Sequence, residues 1–244
     1  MRHRSIPFLL ALVFASATAG AACTADSAPR RPHLVELFSS EGCSSCPPAE
    51  TWLRTLHLGA DVVPLEFHVD YWDSLGWRDR FSDARYTARQ NDQAHRDGGS
   101  IFTPQVVLDG HNWAAWYRGG NLPPPDAADL SLHLAAQAGQ TLHVDVTSQA
   151  TGTNRYEGFQ TYVALIEDGL GTQVHAGENN GVLLKHDHVV RAFSSPLPLA
   201  HATVDLPVPS DVNLDKATVV AFAQNRRDGN VAQVVTQALA DCRK

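Results

Sequence analysis

Leu34-Val35-Glu36-Leu37-Phe38 is the first apolar run beyond the N-terminal region, and its short length and bulky side chains predict a strand. The period then changes. Ala49, Trp52, Leu53 and Leu56 recur at three- and four-residue spacing, with Glu50, Arg54 and His57 between them, so one helical face is buried and the other is wet. Gly59 ends that helix, and Val62 to Val69 is a second apolar run of strand length. The polar stretch Asp83 to Arg96 predicts a second helix stopped by Gly98-Gly99, and Gln105 to Leu108 a third strand turning at Asp109-Gly110. Strands alternating with helices imply an α/β sheet.

The chain breaks at Leu122-Pro123-Pro124-Pro125, after which Asp126 is placed to cap a helix carrying Ala127, Leu130, Leu134 and Ala138 on one face. Beyond Gly139 the pattern becomes alternating. Leu142, Val144 and Val146 interleave with polar residues, and Tyr162 to Ile166, Val182 to Val190, Ala202 to Val208, Thr218 to Phe222 and Val231 to Val235 add strands. The expected organisation is a leader at 1–22, an α/β domain at 31–138, and a small antiparallel β-sandwich-like domain at 139–241.

The leader reads as an export signal: Arg2 and Arg4 precede the apolar run Ile6 to Phe14 and the small residues Ala15 to Ala22. A periplasmic or secreted protein is expected. No later run approaches the roughly 20 apolar residues of a transmembrane helix. A lipid anchor on Cys23 is the less favoured alternative, because Gly20 stands where lipoprotein signals carry Leu and Cys242 offers Cys23 a partner. The 244 residues carry a net charge of −7, and removal of Arg2 and Arg4 makes the mature chain more acidic still. With no Lys/Arg cluster larger than a pair such as Arg226-Arg227, such a chain is a poor match for nucleic acid.

Four cysteines in an exported chain point to disulfides. A Cys23–Cys242 bridge would close almost the whole mature chain and contribute about 4 to 5 kcal/mol in a chain-entropy estimate. Cys43-Ser44-Ser45-Cys46 is different: a CxxC between a strand and a helix suits thiol chemistry, with Cys43 as nucleophile and Cys46 as resolver. Pro47 fits a first helical turn. Thr103-Pro104, just before the third strand, stands where thioredoxin folds hold a cis proline that shapes the substrate groove. A permanent structural disulfide is the main rival. A metal site is disfavoured: zinc lacks a second Cys pair, and copper would need the two cysteines with His68.

Val35-Glu36-Leu37-Phe38, Ser40 to Pro48, His68 to Asp73, Leu75-Gly76-Trp77, Thr103-Pro104-Gln105, Gly177-Glu178-Asn179, Gly181, His186 and Val189-Val190-Arg191 together resemble the bacterial family catalogued as domain of unknown function 1223. The resemblance spans most of the mature chain. It implies a thioredoxin-like first domain, an export signal and a redox role, but names no substrate. Ser44-Ser45 departs from the Gly-Pro of thioredoxin, which leaves the redox potential open.

His68 and Asp70 follow the second strand and are candidate proton carriers for Cys46, although hydrogen bonding within the loop is the simpler role. Trp72 and Trp77 are candidates for an apolar docking rim, or for packing within their own domain. His186 and His188 alternate on an expected strand and would face one side, without a third ligand at fixed spacing. Glu178, Asn179 and Arg191 are placed to tie the second region to the first, and no G-x-S-x-G elbow supports a serine hydrolase. The preferred function is thiol/disulfide exchange on protein thiols or disulfides with a separate redox recycling partner and no cofactor. A noncatalytic binding module and a copper-handling protein are the alternatives. The direction of exchange depends on potentials and stays open.

Overall fold

Two neighbouring strands buried on both faces organise the molecule. In the computed structural model, which describes residues 22–151 and 156–243, Leu34, Val35, Leu37 and Phe38 are all buried, as are Val63, Leu65 and Phe67. The leader expected at 1–22 lies outside the described residues except for its last position. Along the chain run β1 (Cys23–Asp26), β2 (His33–Ser39), α1 (Pro47–Leu53), β3 (Val62–His68), α2 (Ala84–Asp97), β4 (Gln105–Leu108) and β5 (His111–Asn112). They are followed by β6 (Leu130–Gln137), β7 (Thr141–Ala150), β8 (Phe159–Glu167), β9 (Leu170–Gln173), β10 (Leu183–His186), β11 (Val189–Phe193), β12 (Leu197–Pro198), β13 (His201–Pro207), β14 (Ala217–Asn225) and β15 (Val231–Ala238).

Nine of these strands form one sheet in the order β15-β14-β8-β11-β3-β2-β4-β5, with β12 paired to β8. β2 and β3 are parallel, as are β11 and β3, whereas the other pairings are antiparallel. A second sheet, β1-β6-β7-β13, packs against β8, β14 and β15 through Leu130, Leu132, Leu134, Val144 and Val146 on one side and Val163, Leu165, Val219 and Ala221 on the other. α2 covers the opposite face of the large sheet, where Tyr86 joins Phe38, Phe67, Phe193 and Phe222. α1 covers Val35, Leu37 and Val106.

The expected thioredoxin-like α/β domain followed by a separate β-sandwich is therefore incorrect. Strands make up 42% of the described residues against 17% helical, with two α-helices among them, too few to wind an α/β sheet. The pairing of β11 with β3 instead carries one sheet through both halves of the chain. The helix expected after Asp126 is also absent: residues 130–137 form β6, with Leu130, Leu132, Leu134 and Ala136 buried on alternate positions. That two-residue period places them on one face of a strand. No helix among the described residues is long and apolar enough to cross a membrane.

Candidate functional site

The parallel register sets Ser39 beside His68, so the chain leaving β2 and the chain leaving β3 emerge together. From Ser39 the backbone turns tightly: Cys43 N–H donates to Ser40 C=O at 3.0 Å, and Gly42 N–H to Ser40 Oγ at 3.1 Å. A Cβ at Gly42 would approach Trp72 Cβ to 3.2 Å, which fits the loop closely against that tryptophan. The Trp72 indole N–H in turn donates to Thr103 Oγ1 at 2.8 Å, bringing the cis Thr103-Pro104 bond to the same end of the sheet. Cys43 and Cys46 are joined in a disulfide with their Cα atoms 5.4 Å apart. Cys46 is the N-cap of α1, Pro47 enters its first turn, and the Cys46 carbonyl accepts the Ala49 and Glu50 N–H groups.

Both cysteines are 0% exposed, while Ser44 and Ser45 between them are open to solvent. A strap from the distant segment between β9 and β10 bonds to the loop that carries the bridge. Asn179 Nδ2 donates to the Glu41 carbonyl at 2.9 Å and the Cys43 carbonyl at 3.0 Å. The Glu178 carboxylate accepts from Ser44 N–H and Oγ–H, and these two bonds hold its pKa below the usual carboxylate value. Gly177 has φ +71°, and its Cβ position lies 3.2 Å from Trp77 Cβ, so the strap needs a glycine there.

On the α1 side of the sheet lies a buried polar chamber. Glu66 and His68 alternate with Leu65 and Phe67 along β3 and so face away from the α2 core. His186 reaches them from the end of β10, Glu50 from α1, Glu41 from the cysteine loop and Asp79 from the segment before α2. His68 Nδ1 lies 2.6 Å from Asp79 Oδ2, and Asp79 also accepts the N–H groups of Glu41 and Phe81. Glu66 Oε1 lies 3.1 Å from His186 Nδ1 and 3.2 Å from His68 Nε2. Ser39 Oγ donates to Glu50 Oε1 at 2.6 Å, and Trp77 N–H donates to Glu41 Oε2 at 2.8 Å.

Burial and charge pull these groups in different directions. Burial pushes Glu50 up to about 7, and Glu66 adds to the rise. Burial acts upward on Glu66 too, but His186 and His68 outweigh it and bring Glu66 down to about 2. For His68 the burial that disfavours its charged form is overcome by Asp79, and its pKa stands well above the usual histidine value. His186 is raised in the same way: the Glu66 carboxylate outweighs burial.

Of the residues singled out by sequence, His68 joins this chamber. Asp70 instead accepts from Thr87 Oγ1 at 2.6 Å, tying its loop to α2. Trp72 and Trp77 are half-buried, with both indole N–H groups bonded inside the protein. His186 and His188 do not share a face, because the chain turns between β10 and β11, with His188 at φ 63°. His188 lies 2.9 Å from Asp168 and 3.2 Å from the Leu56 carbonyl. Arg191 makes its ion pairs with Glu167 and Asp211, and its guanidinium meets the first half of the chain over the Phe81 ring. Cys23 and Cys242 are bonded, with Cα atoms 4.9 Å apart. Glu41, Glu50, Glu66 and Asp79 were missed, although Glu66 carries a signal: a carboxylate inside the apolar run Val62 to Val69 needs a buried partner.

Comparison with known proteins adds a family and two likenesses. Residues 34–224 match the family model described as "Protein of unknown function (DUF1223)". No match is found among curated proteins. The crystal structure of a protein from Agrobacterium tumefaciens is similar at 26% identity and a TM-score of 0.55, covering 84% of this chain and 92% of that one. HBP35 of Porphyromonas gingivalis shares the fold at 14% identity and a TM-score of 0.60, covering 87% of this chain and 76% of that one.

Proposed function

The chain belongs to the DUF1223 family, and from that premise we propose that it is an exported protein that exchanges disulfides with protein thiols through Cys43 and Cys46. The observation that carries this reading is the contrast between its two bridges. Cys23–Cys242 spans a sequence separation of 219, whereas Cys43–Cys46 spans 3. In a chain-entropy estimate the long bridge contributes about 5 kcal/mol and the short one about 2 kcal/mol. Opening the short bridge therefore costs the fold little, and its formation suits an oxidising compartment.

In the exchange a substrate thiolate attacks Cys43 Sγ, the Cys43–Cys46 bond breaks, and Cys46 leaves as a thiolate that takes up a proton. A second substrate thiolate then attacks the mixed disulfide and releases Cys43, leaving the substrate oxidised by two electrons and the protein reduced. The reverse sequence reduces a substrate disulfide. Both cysteines are buried, so either direction requires their exposure, and the strap at Glu178 and Asn179, bonded to Ser44 and to the Cys43 carbonyl, is the element whose release we propose supplies it.

The test is equilibration of the purified protein in glutathione buffers, followed by thiol trapping and mass spectrometry of Cys43 and Cys46. A reduction potential between roughly −120 and −270 mV supports exchange. A value below about −300 mV marks a structural bridge and favours the second reading, a noncatalytic binding module. The complete burial of Cys43 and Cys46 speaks for that alternative.

A further inference from the structure

We propose that the buried chamber between β3, α1 and β10 binds one divalent transition-metal ion through His68, His186 and Glu66, with Glu41 as the fourth ligand. The ligand atoms of Glu66, His68 and His186 lie within 4.8 Å of one another, and Glu41 Oε1 is 3.7 Å from His186 Nε2. These four residues are at most 1% exposed. Yet His186 Nε2, Glu41 Oε1 and Glu66 Oε2 have no hydrogen-bond partner among the described residues, and His68 Nε2 has only Glu66 Oε1 beside it, at 3.2 Å. Buried polar atoms are ordinarily satisfied, so unpartnered atoms on residues whose ligand atoms stand this close point to something that satisfies them together.

The surroundings prepare the donors. Asp79 holds His68 Nδ1 and is itself fixed by two backbone N–H groups, which leaves Nε2 directed into the chamber. A carboxylate behind an imidazole in this way orients it for a metal and raises its basicity. His186 and His68 stand with ring centroids 5.0 Å apart in an edge-to-face arrangement, both against Phe81, which walls the chamber with an apolar ring. The carboxylates of Glu41, Glu66 and Asp79, with the Glu50 carboxyl beside them, surround two imidazoles, a negative charge that a divalent cation offsets. Arg191, which lies over Phe81, is already paired with Glu167 and Asp211. Two nitrogen and two carboxylate donors suit zinc and its first-row neighbours rather than calcium or magnesium. The site uses no sulfur and is independent of disulfide exchange.

The test starts from purified protein stripped with a chelator. Titration with Zn2+ by calorimetry, with metal analysis after gel filtration, is expected to give one zinc per chain. Co2+ is expected to give visible d–d absorption without a thiolate charge-transfer band, and Cys43→Ser/Cys46→Ser to give the same spectrum. His186→Asn should lose stoichiometric binding. Asp79→Asn keeps every donor and should weaken zinc binding by roughly 10- to 100-fold, with circular dichroism confirming that each variant folds. Should His186→Asn fail to fold, the Asp79→Asn affinity and the wild-type cobalt spectrum still decide. Failure of the wild-type protein to retain zinc at micromolar free metal overturns the proposal. So does a thiolate-to-cobalt band, or zinc affinity unchanged in folded His186→Asn or Asp79→Asn.

Discussion

The Glu178 carboxylate accepts two hydrogen bonds from Ser44, at 3.0 Å from the backbone N–H and 2.7 Å from Oγ, across 134 residues of chain. Asn179 adds two more to the carbonyls of Glu41 and Cys43. The strap is thus anchored to the residues around the bridge. Glu178→Ala is expected to speed reduction of Cys43–Cys46 by dithiothreitol severalfold while leaving the unfolding midpoint nearly unchanged, because Glu178 lies at the surface. Timed alkylation and mass spectrometry read the rate, and an unchanged rate would show that the strap does not gate the sulfurs.

The same contact carries a pH dependence. Ser44 lowers the Glu178 pKa, so the folded, latched state binds its proton less readily than a free carboxylate does. The latch is accordingly at full strength above the ordinary glutamate pKa and is lost as pH falls through the lowered value. Reduction by a phosphine, which works in acid, should accelerate below about pH 4 in the wild-type protein. In Glu178→Ala that added acceleration should vanish.

The two bridges should separate cleanly in stability. Cys23→Ser/Cys242→Ser is expected to cost several kcal/mol, up to about 5 from loop entropy, and Cys43→Ser/Cys46→Ser about 2 or less. β1 also pairs with β6 at Cys23 and Ala136, so loss of the terminal bridge frees that edge strand as well. Urea unfolding without reductant measures both. Equal losses would remove the contrast on which the exchange reading stands.

What could be read in advance follows the range of the interactions. Cys43-Ser44-Ser45-Cys46, Pro47 and the helix face at Ala49 and Leu53 are local, and the strand, loop and helix there were legible. Leu130 and Leu134 match a helical spacing, but Leu132 and Ala136 between them are equally buried, and the shorter period decides for a strand. The pairing of Val189 with Glu66 is invisible in either segment alone, and it is what merges two expected domains into one sheet. His186 was noticed for the wrong neighbour. Its partner is Glu66, 120 residues away, rather than His188, whose left-handed backbone turns it out of register.

Arg89 tests how far the opposite face of the sheet depends on one buried charge. Its Nε donates to Glu36 Oε2 at 2.5 Å and its Nη2 to Gln224 Oε1 at 3.1 Å, so α2 is tied to β2 and β14 at once. The guanidinium also lies 5.1 to 5.6 Å from the ring centroids of Phe67, Tyr162, Phe193 and Phe222. Arg89→Ala leaves the Glu36 carboxylate buried without its cation, and a loss of about 3–5 kcal/mol is expected in urea unfolding. Arg89→Lys should recover little, because a single ammonium cannot reproduce both bonds of the guanidinium fork. Arg89→Met with Glu36→Gln removes both charges and keeps the volume, so it should regain much of the lost stability. If the double variant is no better than Arg89→Ala, the aromatic contacts, and not the stranded carboxylate, account for the loss.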